Sequence, residues 1–482
     1  MSLTRNVING IGWGLSGRII GQGASFLITL ILARLLSPED FGVLAIVNVI
    51  IATASVFIDM GFGSSLIQRT VVGEDHYSAV FVVNAVIGLF LTGATILISG
   101  TLARFFGNEL LRSMTIAMSS IFIITALGSV GRTKLYREMN FAALNLSTIY
   151  GTVLGGVAGI AMALNKFGVW SLVAQSLVNA VTVTVCTYAR ARWIPGVRFR
   201  LSCVKELWSY SSRIFVSTVV GVIFGQFDRL VIGKMSNSAQ LGYYYRAKSL
   251  EGLIQSVVSE SALTAIFPAL STLQNDGQKY LAVVKTLFSV SAYISIFVSG
   301  LLYLISHDLI IFLFSEKWLP SVFFFRIIAL GVFVSPLGAL LNAILASKGL
   351  ADEFLKLTFL RYAVLLPAYA VLLMVDTTTF LYAYVVLSVA SLGVSIWYVS
   401  RVIKTSVIVF YAPVAQGLVI CLPLMLLFSK ADMIHSNIPI VGLLLMTVFY
   451  STAYLTTSLL LRNPGLAALR GTVYTLWCRA HT

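Results

Sequence analysis

Charged residues are scarce in this chain, and so are the residues that build metal and redox sites. Of its 482 residues, 11% are Asp, Glu, Lys or Arg, whereas 58% are hydrophobic. This charged fraction excludes an ordinary soluble globular protein, because such proteins are about 25% charged. The mean hydropathy of +0.93 leads to the same conclusion. Four cysteines without CxxC spacing and four scattered histidines exclude the common zinc and thiol redox motifs.

Long loops and nucleotide-binding motifs are also absent from the sequence. It contains no GxxxxGK[ST] run, which excludes a P-loop for nucleotide hydrolysis. The connections between apolar runs are short, so we expect no separate catalytic domain and no enzyme activity. We also expect no cofactor, with H⁺ or Na⁺ as candidate coupling ions.

Long apolar runs account for almost the whole chain. Taking runs of about 18 or more apolar residues as membrane-spanning helices predicts fourteen spans. They are 6–33, 40–66, 78–99, 110–131, 146–164, 167–188, 207–233, 240–270, 278–305, 319–347, 353–374, 377–403, 406–428 and 437–461. The fold class is therefore all-α integral membrane. The first span is too long to be the core of a cleaved signal peptide.

Basic residues favour alternate connections between these spans. With the N-terminus in the cytoplasm, the cytoplasmic connections hold most of the loop Lys and Arg, including the stretch 190–206. This arrangement obeys the positive-inside rule and places both termini in the cytoplasm. The net charge of +15 is then mainly a topology signal, with anionic lipid headgroups as a second target and no nucleic acid required.

The two halves of the chain begin alike. Arg34 closes the first predicted span and Gly42 opens the second, and 200 residues later Lys234 and Gly242 repeat this pattern. The first helix of each half also carries an early arginine. Because transporters commonly contain two related bundles, we predict two pseudo-symmetric six-helix lobes followed by a C-terminal helix pair.

The repeat and the C-terminal tail together define five predicted regions. The C-terminal tail has apolar residues at helical spacing, which predicts a short helix in the inner interface. The regions are an N-lobe at 1–190, a cytoplasmic basic linker at 191–206, a C-lobe at 207–405, a helix pair at 406–461 and a cytoplasmic interfacial tail at 462–482.

Four motifs carry a family resemblance that extends over roughly residues 1 to 460. They are LARLLSPEDFG at 32–42, DMGFGSSLIQR at 59–69, YREMNF at 136–141 and IFPALSTLQND at 266–276. With these motifs the sequence resembles the bacterial polysaccharide-transport flippases, in particular the colanic-acid type of exporter. Their superfamily also holds multidrug antiporters and the lipid II flippase.

The resemblance implies both an architecture and a cargo. It implies fourteen helices in two lobes that form a V in the bacterial inner (plasma) membrane. The implied activity is the flipping of an undecaprenyl-pyrophosphate-linked oligosaccharide to the periplasmic leaflet by alternating access, for exopolysaccharide or capsule synthesis. The implied partners are this lipid, membrane lipids and the polysaccharide polymerase machinery.

At least ten ionisable residues lie inside the predicted spans. A charge there costs about 2.5 to 3.5 kcal/mol on insertion scales, so these side chains normally face a protein-lined or watery cavity. They are Arg18, Asp59, Arg213, Asp228, Arg229, Arg246, Lys248, Glu251, Glu260 and Arg326. Five of them are basic residues predicted to line one lumen, which indicates an anionic cargo.

Those five basic residues are the candidates for substrate binding. Arg18 ranks first, because it lies near mid-depth and a guanidinium can hold two phosphate oxygens. The alternative to cargo binding by Arg18 is an ion pair with Asp59. The alternative to cargo binding by Arg213 is snorkelling to the inner interface. Lys248 can instead neutralise Glu251, three residues further on. The candidates are Arg18, Arg213, Arg246, Lys248 and Arg326.

The remaining charged residues are candidates for gating or ion coupling. Asp59 and Glu260 occupy the inner halves of their spans, one in each lobe, where a carboxylate can carry a proton or bind Na⁺. For these two carboxylates, the alternative is a role in salt bridges of an inner gate. For Asp228 and Arg229, near the outer end of their span, the alternative to a gate is snorkelling. The candidates are Asp59, Asp228, Arg229, Glu251 and Glu260.

Two other functions compete with the flippase. An ion-coupled multidrug antiporter of the same superfamily would favour an acidic, aromatic-lined cavity, which the five basic residues oppose. A membrane polysaccharide polymerase would need catalytic groups on a sizeable outer loop, and the connections here are short.

Overall fold

Helices are the regular elements throughout the part of the chain that the structure describes. The computed structural model describes residues 3–196, 199–255, 270, 276–372, 375–430 and 439–471. A short 3-10 helix occupies Glu316–Trp318. The α-helices are α1 (Leu3–Leu35), α2 (Pro38–Asp59), α3 (Phe62–Gln68), α4 (Glu74–Phe106), α5 (Leu110–Arg137), α6 (Phe141–Leu164), α7 (Trp170–Ala191), α8 (Leu201–Met235), α9 (Ser238–Gln255), α10 (Gly277–Phe314), α11 (Ser321–Ala329), α12 (Val334–Ser347), α13 (Ala351–Leu372), α14 (Thr377–Val402), α15 (Ile408–Ser429) and α16 (Pro439–Leu460).

Eleven helical segments in the described residues are long and apolar enough to cross a membrane, counting α11 and α12 together as Ser321–Ser347. They coincide with eleven of the fourteen predicted spans, and the other three fall on α1, α9 and α13. The prediction of an all-helical integral membrane protein is confirmed. The count of fourteen and the two-lobe arrangement stay predictions.

Two predicted spans are interrupted by breaks in the helix. The span 40–66 is divided into α2 and α3 at Met60 and Gly61, whose φ angles of 45° and 80° are left-handed. Such backbone ends a helix, and glycine adopts it without steric cost. The span 319–347 is divided into α11 and α12, where Pro336 in the first turn of α12 has no N–H to continue the helix.

The chain forms two compact units, an N-terminal unit (Met1–Gly242) and a C-terminal unit (Tyr243–Thr482). The division falls inside α9, beyond the predicted linker 191–206, because α8 packs along α2, α3 and α4 of the N-terminal unit. The proposed lobe boundary at this linker stays a prediction.

Small residues bring helices α6 and α7 of the N-terminal unit into close contact. A Cβ added at Gly155 would lie 2.6 Å from the carbonyl oxygen of Gln175, and one at Gly151 would lie 2.4 Å from the Val183 side chain. Lipid tails are as apolar as leucine, so spanning helices associate through close packing of this kind.

The core of the C-terminal unit surrounds α10. Tyr450 and Tyr454 of α16 are buried and contact the Phe297 ring at centroid distances of 5.4 and 5.2 Å. Leu466 is also buried in this core, so the start of the predicted interfacial tail packs on protein. The rest of that tail, from residue 472, lies outside the described residues.

Candidate functional site

Two glycines that are 200 residues apart in the sequence meet where α2 and α9 begin. A Cβ on Gly42 would lie 1.7 Å from the carbonyl oxygen of Ser238, and one on Gly242 would lie 1.8 Å from that of Pro38. Pro38 and Ser238 are also equivalent positions of the predicted repeat. We name these four residues the glycine crossing, in which each half presents the same surface to the other.

Both helices of the glycine crossing begin with the same kind of cap. The Ser37 Oγ accepts a hydrogen bond of 3.2 Å from the backbone N–H of Asp40. The Asn237 Oδ1 accepts one of 2.8 Å from the N–H of Gln240. Serine and asparagine at the N-cap satisfy N–H groups that the helix itself leaves unbonded. The matching spacing in the sequence therefore reflects matching local geometry.

The connection between α4 and α5 contacts this region of the N-terminal unit. The Lys234 Nζ donates a hydrogen bond of 2.8 Å to the carbonyl oxygen of Phe105 and lies 4.1 Å from the centre of that ring. The Asn108 Nδ2 donates to the Ser238 Oγ at 3.4 Å. These polar contacts attach the end of α8 and the start of α9 to helices of the first half.

Asp228 and Arg229 make local contacts on α8. The buried Asp228 carboxylate accepts a hydrogen bond of 2.9 Å from the backbone N–H of Arg229. The Arg229 guanidinium donates to the Gln226 Oε1 at 2.7 Å. Because the two residues are adjacent on a helix, the sequence predicts that their side chains point in different directions. Their proposed gating role stays a prediction.

Asp59 caps the short helix α3. Both carboxylate oxygens lie 3.0 Å from the backbone N–H of Gly63, which donates to them across the left-handed turn. A carboxylate at a helix N-terminus is stabilised by the helix dipole and by the unbonded N–H groups there. Asp59 therefore has a structural task beside the proposed coupling role.

Arg137 joins two of the sequence motifs and was not among the predicted site residues. Its guanidinium donates to the carbonyl oxygens of Leu66, Arg69 and Thr70, the last two at 2.6 and 2.9 Å. Arg137 belongs to the motif at 136–141, whereas Leu66 and Arg69 belong to the motif at 59–69. These two motifs are far apart in the sequence, which gives no sign that they touch.

Replacing Arg137 by lysine is expected to destabilise the N-terminal unit. An ammonium is a point charge and cannot reproduce the fixed fork that reaches three carbonyls, and each hydrogen bond to a charged group contributes about 1.5 to 3 kcal/mol. We expect a loss of about 2 to 4 kcal/mol, seen as a lower unfolding temperature of the detergent-purified protein. The exposed Arg112 of the same helix provides the matched control, Arg112→Lys. Equal unfolding temperatures for both variants would contradict this role.

Helix α8 is held against α3 at its N-terminal end. The Ser65 Oγ donates a hydrogen bond of 3.0 Å to the carbonyl oxygen of Leu207. Arg69 forms an ion pair with Glu206. Arg213 lies further along α8 and is exposed, which suits both cargo docking and snorkelling. Its binding role stays a prediction.

Two predicted site residues cannot be placed at side-chain level. Arg18 lies on α1, but its side chain is outside the described residues, as is the whole of Glu260. The neighbouring Gly17 packs against α6, where a Cβ would lie 2.7 Å from the Asn145 side chain.

Arg246 is buried between aromatic rings of the C-terminal unit. Its side chain is 1% exposed, and its guanidinium carbon lies 5.1 Å from the Phe314 ring centre and 5.2 Å from that of Trp318. A guanidinium stacks favourably on aromatic faces when it is removed from water. These contacts hold α9 against the end of α10. The cargo-binding role of Arg246 stays a prediction.

Lys248 and Glu251 form the ion pair that their spacing allows. The Lys248 Nζ lies 2.7 Å from the Glu251 Oε2 and donates a hydrogen bond of 3.3 Å to the Tyr384 Oη. The Gln255 Nε2 donates to the other carboxylate oxygen at 2.7 Å. This geometry agrees with the alternative in which Lys248 and Glu251 neutralise each other.

Arg326 borders a cavity of about 490 Å³ inside the C-terminal unit, between α10, α11, α14 and α15. Its Nε donates a hydrogen bond of 2.9 Å to the Ser306 Oγ, and its guanidinium carbon lies 5.9 Å from the Tyr303 ring centre. Arg326 thus faces a cavity, as the sequence predicts for an intramembrane arginine. That this cavity is the predicted cargo lumen stays a prediction.

Comparison with known proteins gives one family and several relatives. The family described as "Polysaccharide biosynthesis protein" matches residues 31–323. The succinoglycan biosynthesis transport protein ExoT of Rhizobium meliloti (strain 1021) is 27% identical over 278 residues, 58% of this chain and 56% of that protein. This chain therefore spans little more than half of that relative. The lipopolysaccharide biosynthesis protein WzxC of Escherichia coli (strain K12) is 21% identical over 374 residues, 76% of this chain and 75% of that protein.

Solved structures share the fold. The lipid II flippase MurJ in an inward closed conformation superposes with a TM-score of 0.74 at 14% identity, over 94% of this chain and 99% of that one. An inward-facing MATE family multidrug transporter gives 0.62 at 14% identity, over 86% and 99%. The resemblance read from the four motifs is confirmed. Since the family match covers more than half of the chain and includes all four motifs, the chain belongs to the polysaccharide biosynthesis protein family.

Proposed function

We propose that the chain flips an undecaprenyl-pyrophosphate-linked oligosaccharide from the cytoplasmic to the periplasmic leaflet, for exopolysaccharide or capsule synthesis. The family match over residues 31–323 carries this proposal. The fold shared with a protein named as a lipid II flippase supports it. So does the sequence, because the basic residues within the spans suit a pyrophosphate better than a cationic drug.

The proposed mechanism is alternating access, with the glycine crossing as part of a periplasmic gate. With both termini in the cytoplasm of an inner-membrane protein, α2 and α9 begin on the periplasmic side. When the crossing is closed, the two helix starts touch without intervening side chains, which leaves no path for a headgroup. Separation of these starts would open the site to the periplasm.

Among the candidate cargo ligands, we place Arg18 and Arg213 first. The guanidinium groups of two arginines could hold the two phosphates of the carrier. Arg246 is stacked between two rings and Lys248 is paired with Glu251, so both charges already interact with groups of the protein. Cargo contact at these two positions would require those contacts to be released first.

Deletion of the gene in its host tests the proposed cargo. We expect loss of one surface polysaccharide and accumulation of its lipid-linked precursor on the cytoplasmic leaflet, restored by the wild-type gene. Analysis of the accumulated sugar identifies the pathway, and protection of the precursor from an impermeant label identifies the leaflet. Normal polysaccharide together with increased sensitivity to cationic drugs would instead favour the multidrug antiporter.

Replacing Asp59 by asparagine separates its coupling role from its capping role. Asparagine keeps a side-chain oxygen that can accept the Gly63 N–H, so the cap is retained while the proton-binding carboxylate is lost. If H⁺ couples through Asp59, flipping in proteoliposomes should lose its dependence on an imposed pH gradient while lipid-linked cargo still binds. Glu260→Gln provides the same test in the second half.

The two alternatives to coupling give different results. If Asp59 and Glu260 belong to gate salt bridges, the amide variants should alter the balance of inward and outward states and leave any gradient dependence intact. A wild-type rate that is indifferent to both H⁺ and Na⁺ gradients would reject coupling at these residues. It would favour passive flipping drawn by polymerisation in the periplasm.

A further inference from the structure

The cavity next to Arg326 combines one cation with apolar walls. Its volume of about 490 Å³ is in the range of small-molecule sites, about 300 to 1,000 Å³. Apolar and aromatic residues dominate the lining. The lining residues are Tyr303, Phe323, Arg326, Ile327, Leu330, Tyr382, Leu422, Met425, Leu426 and Ser429.

Arg326 is oriented by protein contacts that leave its charge uncompensated. The hydrogen bond from Nε to the buried Ser306 hydroxyl fixes one edge of the guanidinium, and the Tyr303 ring lies beside it. Asp308, two residues from Ser306, pairs with His307. No carboxylate of the described residues forms an ion pair with Arg326. A partly buried charge in this setting attracts an anion.

The mouth of the cavity is on the lipid-facing side of α15. Leu422 and Leu426 line the cavity and are 48% and 65% exposed, on a helix that is long and apolar enough to cross the membrane. Large apolar side chains exposed on a spanning helix face hydrocarbon. A ligand with both an anionic head and an apolar chain can therefore contact Arg326 and these leucines together.

We propose that this cavity binds the phosphate of a membrane lipid, with its apolar chain along α15. Phosphate esters supply the negative charge of bacterial lipids, and the two terminal nitrogens of a guanidinium match two phosphate oxygens. A glycerophospholipid and a prenyl phosphate share this chemistry. The site does not depend on the proposed cargo, since it would bind lipid phosphate in either case.

Native mass spectrometry of the purified full-length chain tests the site. The bound fraction is measured with phosphatidylglycerol, a prenyl monophosphate, inorganic phosphate and a diacylglycerol that has the same chains but no phosphate. Arg326→Gln should weaken binding of the phosphate-bearing lipids by about tenfold and leave diacylglycerol binding unchanged. Leu426→Trp should also weaken binding of the phosphate-bearing lipids, because the larger side chain fills the mouth of the cavity while Arg326 keeps its charge.

Arg401→Gln is the matched control. Arg401 lies on α14 of the same unit, also beside an aromatic ring, with its guanidinium carbon 5.8 Å from the Trp397 ring centre. Loss of both lipids in the Arg326 and Leu426 variants, with wild-type unfolding temperatures, supports a general lipid phosphate site. Loss of the prenyl phosphate alone supports a site for the carrier. Unchanged lipid binding in both variants overturns the proposal, and so does inorganic phosphate binding as tightly as the lipids.

Discussion

Gly42→Ala is expected to reduce polysaccharide export at least tenfold in a deletion strain that carries the variant gene. The added Cβ would lie 1.7 Å from the Ser238 carbonyl oxygen, whereas ordinary contact begins at about 3.4 Å. Backbone on both sides cannot rotate away as a side chain would, so the helices must separate by more than an ångström. Overpacking of this kind costs about 1 to 3 kcal/mol, which shifts an equilibrium about five- to 150-fold.

The same substitution in the other half gives a stringent test. Gly242→Ala should cause a similar loss, because its Cβ would lie 1.8 Å from the equivalent carbonyl oxygen of Pro38. Once one methyl group has separated the helices, the second meets less resistance. We therefore expect the double variant to lose about as much export as either single variant, which is the non-additivity of neighbouring sites.

Gly252→Ala is the matched control, since it lies on the same helix as Gly242 and a Cβ there meets nothing within 4 Å. It should export normally. Cysteines at positions 108 and 238 report the conformation, since the native side chains are 3.4 Å apart. Crosslinking should fall in Gly42→Ala and persist in Gly252→Ala. Wild-type export by a well-expressed Gly42→Ala protein would refute the role of the glycine crossing as a gate.

The glycine crossing also shows what the sequence predicts well. The 200-residue offset between Gly42 and Gly242 is visible without a structure. The pattern in each half is local, because turn residues depend on a few neighbouring positions. What the sequence does not show is that the two equivalent glycines are in contact, since that is a long-range property.

Long-range contacts explain the other differences between prediction and structure. Arg246 is a predicted cargo ligand, and the sequence does not show its ring contacts, because Phe314 and Trp318 are distant in the sequence. Arg137 was visible within a motif, but its three acceptors are backbone carbonyls, which have no sequence signature. By contrast, the pairing of Lys248 with Glu251 follows from helical spacing and was available as an alternative.

Arg18→Ala is expected to abolish export while leaving the protein folded and inserted. A pyrophosphate at mid-depth would lose its fixed pair of donors in a setting of low dielectric constant, where a charge-assisted pair contributes several kcal/mol. Removal of one partner of such a pair costs about 2 to 5 kcal/mol, or a factor of about 30 to several thousand in affinity. Arg18→Lys should recover part of the activity, because it restores the charge without the fork.

The alternative for Arg18 is an ion pair with Asp59, and a double variant separates the two explanations. If the pair is the main task of both residues, Arg18→Gln combined with Asp59→Asn removes both charges together and should restore export. If Arg18 binds cargo, the neutral double variant should remain as inactive as Arg18→Gln. Asp59 already accepts the N–H of Gly63, which gives its carboxylate a local task that does not require Arg18.

Two measurements make this result specific to cargo binding. Surface polysaccharide reports export, and the amount of lipid-linked precursor that co-purifies with the protein reports affinity. Arg18→Ala should lower both, whereas Arg112→Ala, an exposed arginine on α5, should lower neither. Precursor bound at wild-type levels to an export-deficient Arg18→Ala protein would assign Arg18 to a conformational step instead. Normal export by that variant would remove Arg18 from the cargo pathway, and Arg213 would become the first candidate for the phosphate ligand.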